Sequence, residues 1–384
     1  MLIERGANIN TADYNCITPL HCTASLENPE ACKWLIENGA DINAVDNYGQ
    51  TPLYKSIEYS HTEVIKVLIE RGANINTADY NCITPLHCAA SLENREACKC
   101  LIENGADINA ADNYGRTPLY EFIAYSDIEI TKLVIEKGAN INKSDNNGST
   151  PLHLAVGMKN KEIYKLLIEN GADINAADNY GRTPLYKPID YSDTEVIKSL
   201  IKRGAYINIA DHYGITPLHY AASLKSGEAY KVLIENGAEI NAVDRYGRTP
   251  LYETIAYSNI EITKLMIEKG ANINKADNNS STLLHSAVNV EDKEVYKLLI
   301  EKGANINAAD NCGICKLLIA KGADINKATN NDITLLYEAV RVKDTEICWY
   351  YCTTDSRIVH SVCIGYVKTL DWRHCKSDNR CQSL

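Results

Sequence analysis

The sequence has no apolar run that approaches the roughly 18 residues needed to cross a bilayer. It also lacks an excess of basic residues, because its 384 residues carry a formal net charge of −11. Nucleic acids and anionic membrane surfaces both favour a basic patch. We therefore expect no membrane insertion and no nucleic-acid partner.

The N-terminus lacks a secretion signal, since residues 1–5 show no charged-then-apolar pattern. The 14 cysteines suggest disulfides at first sight. Three of them, however, return 66 residues further along: Cys16, Cys22 and Cys32 recur as Cys82, Cys88 and Cys98. In a chain without a signal we interpret them as buried thiols in a reducing compartment. We expect a soluble, cytoplasmic monomer.

Motifs of the common enzyme classes are missing as well. The sequence has no nucleophile elbow, no P-loop and no Rossmann glycine motif. Paired acids such as Glu129 and Glu136 lie on the predicted solvent-facing side of a helix. We expect no enzymatic activity and no cofactor.

What the sequence does contain is a 33-residue period. The pair Gly-Ala recurs at Gly6, Gly39, Gly72, Gly105, Gly138, Gly171, Gly204, Gly237, Gly270 and Gly303. The phrase Thr-Pro-Leu keeps the same spacing at Thr18, Thr51, Thr84, Thr117, Thr150, Thr183, Thr216 and Thr249. Such a period is typical of arrays whose units bury their apolar faces only against their neighbours.

A 33-residue unit with T-P-L-H and a closing G-A-D-I-N resembles the ankyrin repeat. The resemblance covers about residues 1–348 and includes nine complete copies. It implies an all-α solenoid of stacked helix-turn-helix units with hairpin-like loops. At its ends the pattern predicts a partial first repeat, a repeat without its first helix near Gly313, and an incomplete last repeat.

Residues 349–384 do not resemble a repeat, and we expect an irregular, Cys-rich tail there. The tail carries Cys352, Cys363, Cys375 and Cys381 with His360 and His374. Their spacings match no regular zinc finger. Cys312 and Cys315 have Cys-x-x-Cys spacing, but Cys315 aligns with the helical Cys32. We therefore predict no metal site.

Each unit has local signals for two helices. Thr117 is a good N-cap and Pro118 suits the first helical position. Residues 126–129 read S-D-I-E, which predicts a capping box that starts the second helix at Ser126. Gly138 supplies the left-handed residue that ends it. Pro188 falls inside a first helix and is predicted to kink or weaken it.

The sequence also has a longer period of 66 residues, twice the length of the first. The fourth letter of T-P-L-H alternates as His21, Tyr54, His87, Tyr120, His153, Tyr186, His219, Tyr252 and His285. Either the unlike side chains of neighbouring first helices interlock, or a 66-residue block was duplicated. The resemblance implies that the histidine bonds locally to the turn, and the turn aspartates are explained by turn chemistry. Those aspartates are Asp46, Asp112, Asp178 and Asp244.

In ankyrin proteins the hairpin tips and the exposed side of the first helix form a concave binding face. Mapped onto this chain, the tips carry Tyr48, Tyr114, Tyr180 and Tyr246, with Gln50, Arg116, Arg182 and Arg248 two positions on. The exposed side of the first helix would carry Tyr59, Tyr125, Tyr191 and Tyr257. Tyrosine and arginine are enriched in binding hot spots. We expect these side chains to point outward without a structural duty, although duplication, with the rings packing on neighbouring repeats, is an alternative.

These observations favour a non-catalytic scaffold that binds a protein partner through its concave face. One alternative is the targeting or substrate-recruiting part of a larger enzyme or a ubiquitin-ligase adaptor. Another is a host-directed effector. The partner cannot be identified from a resemblance at the level of the fold.

Overall fold

The computed structural model describes residues 7–224, 227–257, 259–289 and 293–305, and within them it contains eighteen α-helices and no strand. The first helices of successive repeats are α1 Pro19–Ser25, α3 Pro52–Glu58, α5 Pro85–Ser91, α7 Pro118–Ala124, α9 Pro151–Gly157, α11 Tyr186–Asp190, α13 Pro217–Ser223, α15 Pro250–Ala256 and α17 Leu283–Asn289. The second helices are α2 Pro29–Glu37, α4 Thr62–Glu70, α6 Arg95–Glu103, α8 Ile128–Glu136, α10 Lys161–Glu169, α12 Thr194–Lys202, α14 Gly227–Glu235, α16 Ile260–Glu268 and α18 Lys293–Glu301. The predicted all-α class is confirmed.

The chain divides into two compact units between His212 and Tyr213. In the first unit α7 packs against its own second helix α8 and against the neighbouring first helices α5 and α9. In the second unit α15 contacts α16, α13 and α17 in the same way. Among the described helices, none is long and apolar enough to cross a membrane. The predicted stub at Met1, the missing helix near Gly313, the Cys-x-x-Cys pair and the tail at 349–384 lie outside the described residues.

The first helices start where the sequence predicts. Thr84 has the extended backbone of an N-cap, and its hydroxyl accepts the N–H of His87. The next residue, Pro85, sits at the first helical position, where no N–H is needed. Thr117 has the same backbone conformation before α7, although its hydroxyl makes no capping bond.

The second helices start one residue later than the predicted capping box. Ser126 has a left-handed backbone, with φ of 60°, because it forms the tight turn out of α7. It therefore cannot adopt the extended conformation of an N-cap. Asp127 takes that role, and its Oδ1 accepts the N–H of Ile130 at 3.1 Å. The prediction for Ser126 was wrong.

The core of each repeat is shared with its neighbours. Leu119 and Ile123 of α7 and Ile130 and Val134 of α8 are fully buried. These apolar faces meet the equivalent faces of the adjacent repeats, since a single pair of short helices cannot cover them.

An asparagine ladder joins consecutive repeats within each unit. Asn109 is the last letter of the G-A-D-I-N phrase, and its Nδ2 donates to the carbonyl of Gly138 at 3.2 Å. Its Oδ1 accepts the N–H of Asn140 at 2.7 Å. Equivalent bonds are made by Asn10, Asn76, Asn142, Asn175 and Asn274. Every rung fixes one repeat on backbone atoms of the next.

The cysteines are less uniformly buried than predicted. Cys32, Cys88 and Cys98 are buried, as expected, but Cys16, Cys22 and Cys82 are exposed. Cys16 and Cys82 sit at φ of 60° at the tips, a position that is glycine in most other repeats, and the tips face solvent. The cysteines of the described part of the chain are all free thiols.

Candidate functional site: hairpin tips and helix ends

The hairpin tips are built around a buried aspartate. Asp112 is 5% exposed, and its Oδ1 accepts the N–H groups of Tyr114 at 2.8 Å and Arg116 at 2.9 Å. Asp46, Asp178 and Asp244 make the same pair of bonds in their own repeats. The interpretation of these aspartates as turn residues is confirmed.

Each tip is held in register by the tip that follows it. The carbonyl of Tyr114 accepts the N–H of Asn146 at 2.8 Å. Gly115 lies between them with φ of +78°, and a Cβ there would come within 3.0 Å of the Asn146 nitrogen. Glycine adopts the left-handed backbone at this position without strain, although Cys16 and Cys82 adopt it in two other tips. The side chains at the tips therefore project from a fixed ladder.

The predicted tip tyrosines all face solvent. Tyr48 and Tyr114 are each 67% exposed, Tyr180 is 59% and Tyr246 is 58% exposed. The structure adds three tip tyrosines that the sequence reasoning missed, Tyr14, Tyr80 and Tyr213. Two of them occur in a D-Y-N-C-I version of the tip, where the ring stands one position earlier. These two tyrosines directly follow the turn aspartate, so a search from that aspartate, instead of from the tip glycine, would have found them.

The tip arginines have a structural duty that the sequence did not reveal. Arg116 donates from Nε and Nη2 to Oδ2 of Asp112 at 3.0 and 2.8 Å, and Arg248 clasps Asp244 likewise. The guanidinium of Arg116 also covers the Tyr114 ring at 5.0 Å. The expectation that these arginines are free of structural roles was wrong, because the turn carboxylate has a second oxygen that needs a partner.

Tyr59, Tyr125, Tyr191 and Tyr257 lie at the C-caps of α3, α7, α11 and α15, and not along the exposed sides of these helices. They are 44 to 55% exposed. Two of the rings have neighbours: Lys159 Nζ lies 4.1 Å from the centre of the Tyr191 ring, and the Tyr59 ring stacks on His61 with the ring centres 6.0 Å apart. A seven-residue helix, about 10 Å long, separates them from the tips.

At the fourth position of T-P-L-H, four histidines and Tyr120 bond to the equivalent backbone carbonyl of the next repeat. His87 Nδ1 accepts the N–H of Thr84, as the local interpretation predicts, while Nε2 donates to the carbonyl of Arg116 in the next repeat at 3.1 Å. The hydroxyl of Tyr120 donates to the carbonyl of Ser149 in its own next repeat. Both partners are 29 residues further along, so either residue can bridge two repeats.

Burial sets the ionisation of these groups. It lowers the pKa of His87 and of His153 below the ordinary 6.5, which keeps both rings neutral for their two bonds. It also raises the pKa of Glu121, which lines a groove of about 160 Å³ beside Arg116. Within the residues described, no cluster of three or more His, Cys, Asp or Glu side chains is placed to hold a metal ion.

A family model of ankyrin repeats (three copies) matches residues 1–79, 77–145, 122–211, 178–244 and 218–310. The chain is an ankyrin-repeat protein. None of the curated proteins compared with it matches. Ankyrin repeats are generally modules for protein–protein interaction, and the family is typically non-catalytic.

Two exposed sets of side chains therefore stand out on this ankyrin-repeat protein. The first set is the tips, where rigid tyrosines project from a hydrogen-bonded ladder. The second set is the C-cap positions at the far ends of the first helices. Large, stiff aromatic surfaces of this kind contribute much contact area at a small entropic cost.

Proposed function

We propose that the protein is a non-catalytic scaffold that binds another protein through its hairpin tips and first helices, the concave face of an ankyrin array. The carrying observation is that Tyr48, Tyr114 and Tyr180 are each more than half exposed while their backbones are fixed in register. A pre-ordered row of this kind loses little conformational entropy on binding.

The contact residues that we propose are Tyr48, Tyr59, Tyr114, Arg116, Tyr125, Tyr180, Arg182, Tyr191, Tyr246, Arg248 and Tyr257. The tyrosines supply the contact area. The arginines contribute mainly by fixing the conformation of the tips, since two N–H groups of Arg116 donate to Asp112. A recruiting subunit of a larger enzyme or ligase adaptor, or a host-directed effector, would use the same binding step.

The test compares a tip variant with a matched control. The full chain carrying Tyr48→Ala, Tyr114→Ala and Tyr180→Ala is immobilised beside the wild type and beside Tyr206→Ala, whose ring is 64% exposed away from the tips. Proteins retained from a native cell extract are quantified by mass spectrometry. We expect at least one protein to bind the wild type and Tyr206→Ala equally and the tip variant about tenfold more weakly.

Circular dichroism should show the same helical signal for the wild type, the tip variant and the Tyr206→Ala control, because the substituted rings are exposed. If every retained protein binds the tip variant as strongly as the wild type, the tips are not the binding surface.

A further inference from the structure

A groove of about 160 Å³ lies between the fourth repeat, which contains α7, and the fifth, which contains α9. The fourth repeat lines it with Arg116, Glu121 and Ala124, and the fifth with Asp145 and Leu154. A single water needs only about 10–15 Å³, so the groove admits the end of a side chain. Its lining offers both apolar side chains and carboxylates.

The carboxylates at this groove outnumber the cations. Arg116 supplies a guanidinium, but its Nε and Nη2 donate to Oδ2 of Asp112. Its Nη1 lies 3.7 Å from Oε1 of Glu121, which is too far for a hydrogen bond. No lysine or arginine of the described residues forms an ion pair with Asp145, and the side chain of the nearby Lys143 does not line the groove. Three carboxylates therefore share one cation.

The carboxyl group of Glu121 is poorly solvated. Its side chain is only 18% exposed. Burial raises its pKa, and of the neighbouring charges Arg116 lowers the pKa while Asp112 raises it. A second cation in the groove would therefore stabilise the ionised form of Glu121. Perturbed acids in a groove with convergent polar groups are typical of binding sites.

The fold does not require an acid at the position of Glu121. The equivalent residues of α3 and α11 are Lys55 and Lys187. Lys55 Nζ lies 3.4 Å from Oδ2 of the turn residue Asp46, and Lys187 Nζ lies 3.4 Å from Oδ2 of Asp190. The second and sixth repeats thus carry a cation of their own at this position, and the fourth does not.

The sixth repeat also shows a cation beside the aspartate of the following tip. Arg182 is the equivalent of Arg116, but its Nε lies 3.5 Å from Oδ2 of Asp211, the next turn aspartate. Asp145 is the equivalent of Asp211. Within the described part of the chain it has no such cation, because Arg116 bonds inside its own tip. The groove of the fourth and fifth repeats therefore offers two carboxylates to a cation from outside.

We propose that the groove between the fourth and fifth repeats receives a basic side chain, lysine or arginine, of a partner protein. The charged group would pair with Glu121 and Asp145, and its methylene stem would lie along Ala124 and Leu154. This inference rests on the proposed function, and it specifies a side chain that the partner presents beside the tips.

The test follows backbone amide shifts of the isotope-labelled full chain by TROSY NMR. The reporter is Ser149, whose N–H donates to Oδ1 of Asp145 at 2.9 Å. The probe is N-acetyl-lysine N-methylamide at low salt. The norleucine analogue keeps the four-carbon stem without the ammonium group, and the glutamate analogue has the opposite charge. We expect the probe to shift Ser149 saturably and to bind at least about tenfold more tightly than either comparison compound.

Matched protein variants then locate the site. Glu121→Gln removes one charge at constant shape and should weaken probe binding by about tenfold or more. The control is Glu253→Gln, because Glu253 lies outside the groove but is equally close-packed, at 12% exposure and 3.9 Å from Arg248. It should leave the Ser149 response unchanged. Glu121→Lys gives α7 the residue that α3 and α11 already carry, and should abolish the response without loss of helical signal.

Three outcomes would overturn the proposal: equal binding of the lysine and norleucine analogues, a Ser149 response that survives Glu121→Lys, or equal effects of Glu121→Gln and Glu253→Gln. The arginine analogue shows which of the two basic residues fits better.

The groove and the scaffold can fail separately. If the tip variant Tyr48→Ala, Tyr114→Ala and Tyr180→Ala loses its cellular partner but Ser149 does not respond to the probe, the scaffold function stands and the cation groove does not. If Ser149 responds while every retained protein binds the tip variant as strongly as the wild type, the groove binds cations and the tips are not the binding surface.

Discussion

The fourth and sixth repeats contain the same ten residues, A-D-N-Y-G-R-T-P-L-Y, at 111–120 and at 177–186, yet their first helices differ. In the fourth repeat α7 begins at Pro118 and has seven residues, whereas in the sixth α11 begins at Tyr186 and has five.

The cause lies beyond the identical phrase. Pro188 stands where the fourth repeat has Phe122, and it has no N–H to donate to the carbonyl four residues earlier. The helix begins two residues later, although the turn before it keeps the bond from the N–H of Tyr186 to the carbonyl of Thr183 at 3.0 Å. The hydroxyl of Thr183 is buried without a hydrogen-bond partner. Pro188 was predicted to kink or weaken this helix, and the structure shows a shorter helix with a late start. Ten identical residues do not determine where the helix starts if the twelfth residue lacks an N–H donor.

The largest expected loss of stability comes from introducing a proline at the equivalent position of the fourth repeat. Phe122→Pro removes an N–H donor inside α7 and a ring that is only 2% exposed. We expect the free energy of unfolding, measured by urea titration with circular dichroism, to fall by about 3–5 kcal/mol. Phe122→Leu keeps the N–H and is the control, at a cost below about 1.5 kcal/mol. Equal losses for both variants would mean that the donor at this position does not matter.

Acidification should destabilise both repeats through the histidines that bridge to them. His87 bonds to the carbonyl of Arg116 and His153 to that of Arg182. Burial holds the pKa of both below 6.5, so the unfolded chain takes up protons first as the pH falls. Stability is therefore present above about pH 6.5 and decreases below it, until the folded rings also protonate.

Thermal unfolding between about pH 7.5 and about pH 5 measures this effect. His87→Gln and His153→Gln should each lower the pH dependence by a similar share, because the two bridges have the same geometry. An unchanged pH dependence in both variants would contradict the assignment.

Restoring the donor in the sixth repeat should have a smaller effect. Pro188→Ala supplies an N–H for the carbonyl of Pro184, so we expect α11 to begin at Pro184. The gain is about 1 kcal/mol, since the lost rigidity of proline in the unfolded chain offsets part of it. Hydrogen exchange gives the direct measurement: the new amide at position 188 should be protected. Exchange at the rate of an unstructured peptide would show that the late start has another cause.

The smallest difference concerns the two arginines. Arg116 makes two bonds to Asp112 in its own tip, whereas Arg182 Nε lies 3.5 Å from Asp211 Oδ2 in the next tip. Double-mutant cycles with Arg→Ala and Asp→Asn should give a coupling of about 1 kcal/mol for Arg116 with Asp112 and less for Arg182 with Asp211. A larger coupling across the tips would show that this bond contributes more than its length implies.

The sequence predicted what depends on residues close together in the chain. The 33-residue period, the Thr-Pro starts and the turn aspartates all act within a few positions, and all are found in the structure. Contacts with the neighbouring repeat could not be predicted in this way. The bond from His87 to Arg116, for example, spans 29 residues. The bond from Arg116 to Asp112 is local, four positions apart, and was missed for a different reason: the pattern treated the arginine side chain as free.

The candidate site was predicted only in part for a related reason. A search for recurring tyrosine and arginine found residues at the tips and the tyrosines at the C-caps of the first helices. It missed Leu26, Leu92 and Met158, which are exposed at the same C-cap position in other repeats, because exposure depends on position in the turn and not on residue type. The contact role of the proposed residues stays a prediction until binding is measured.

The asparagine ladder has a consequence for how such a chain can change its length. Asn109 holds the next repeat through the carbonyl of Gly138 and the N–H of Asn140, and both groups belong to the backbone. Every repeat offers these groups whatever its side chains are. The ladder would therefore survive the copying, removal or exchange of a whole repeat, and only the apolar faces that the repeats share would need to match.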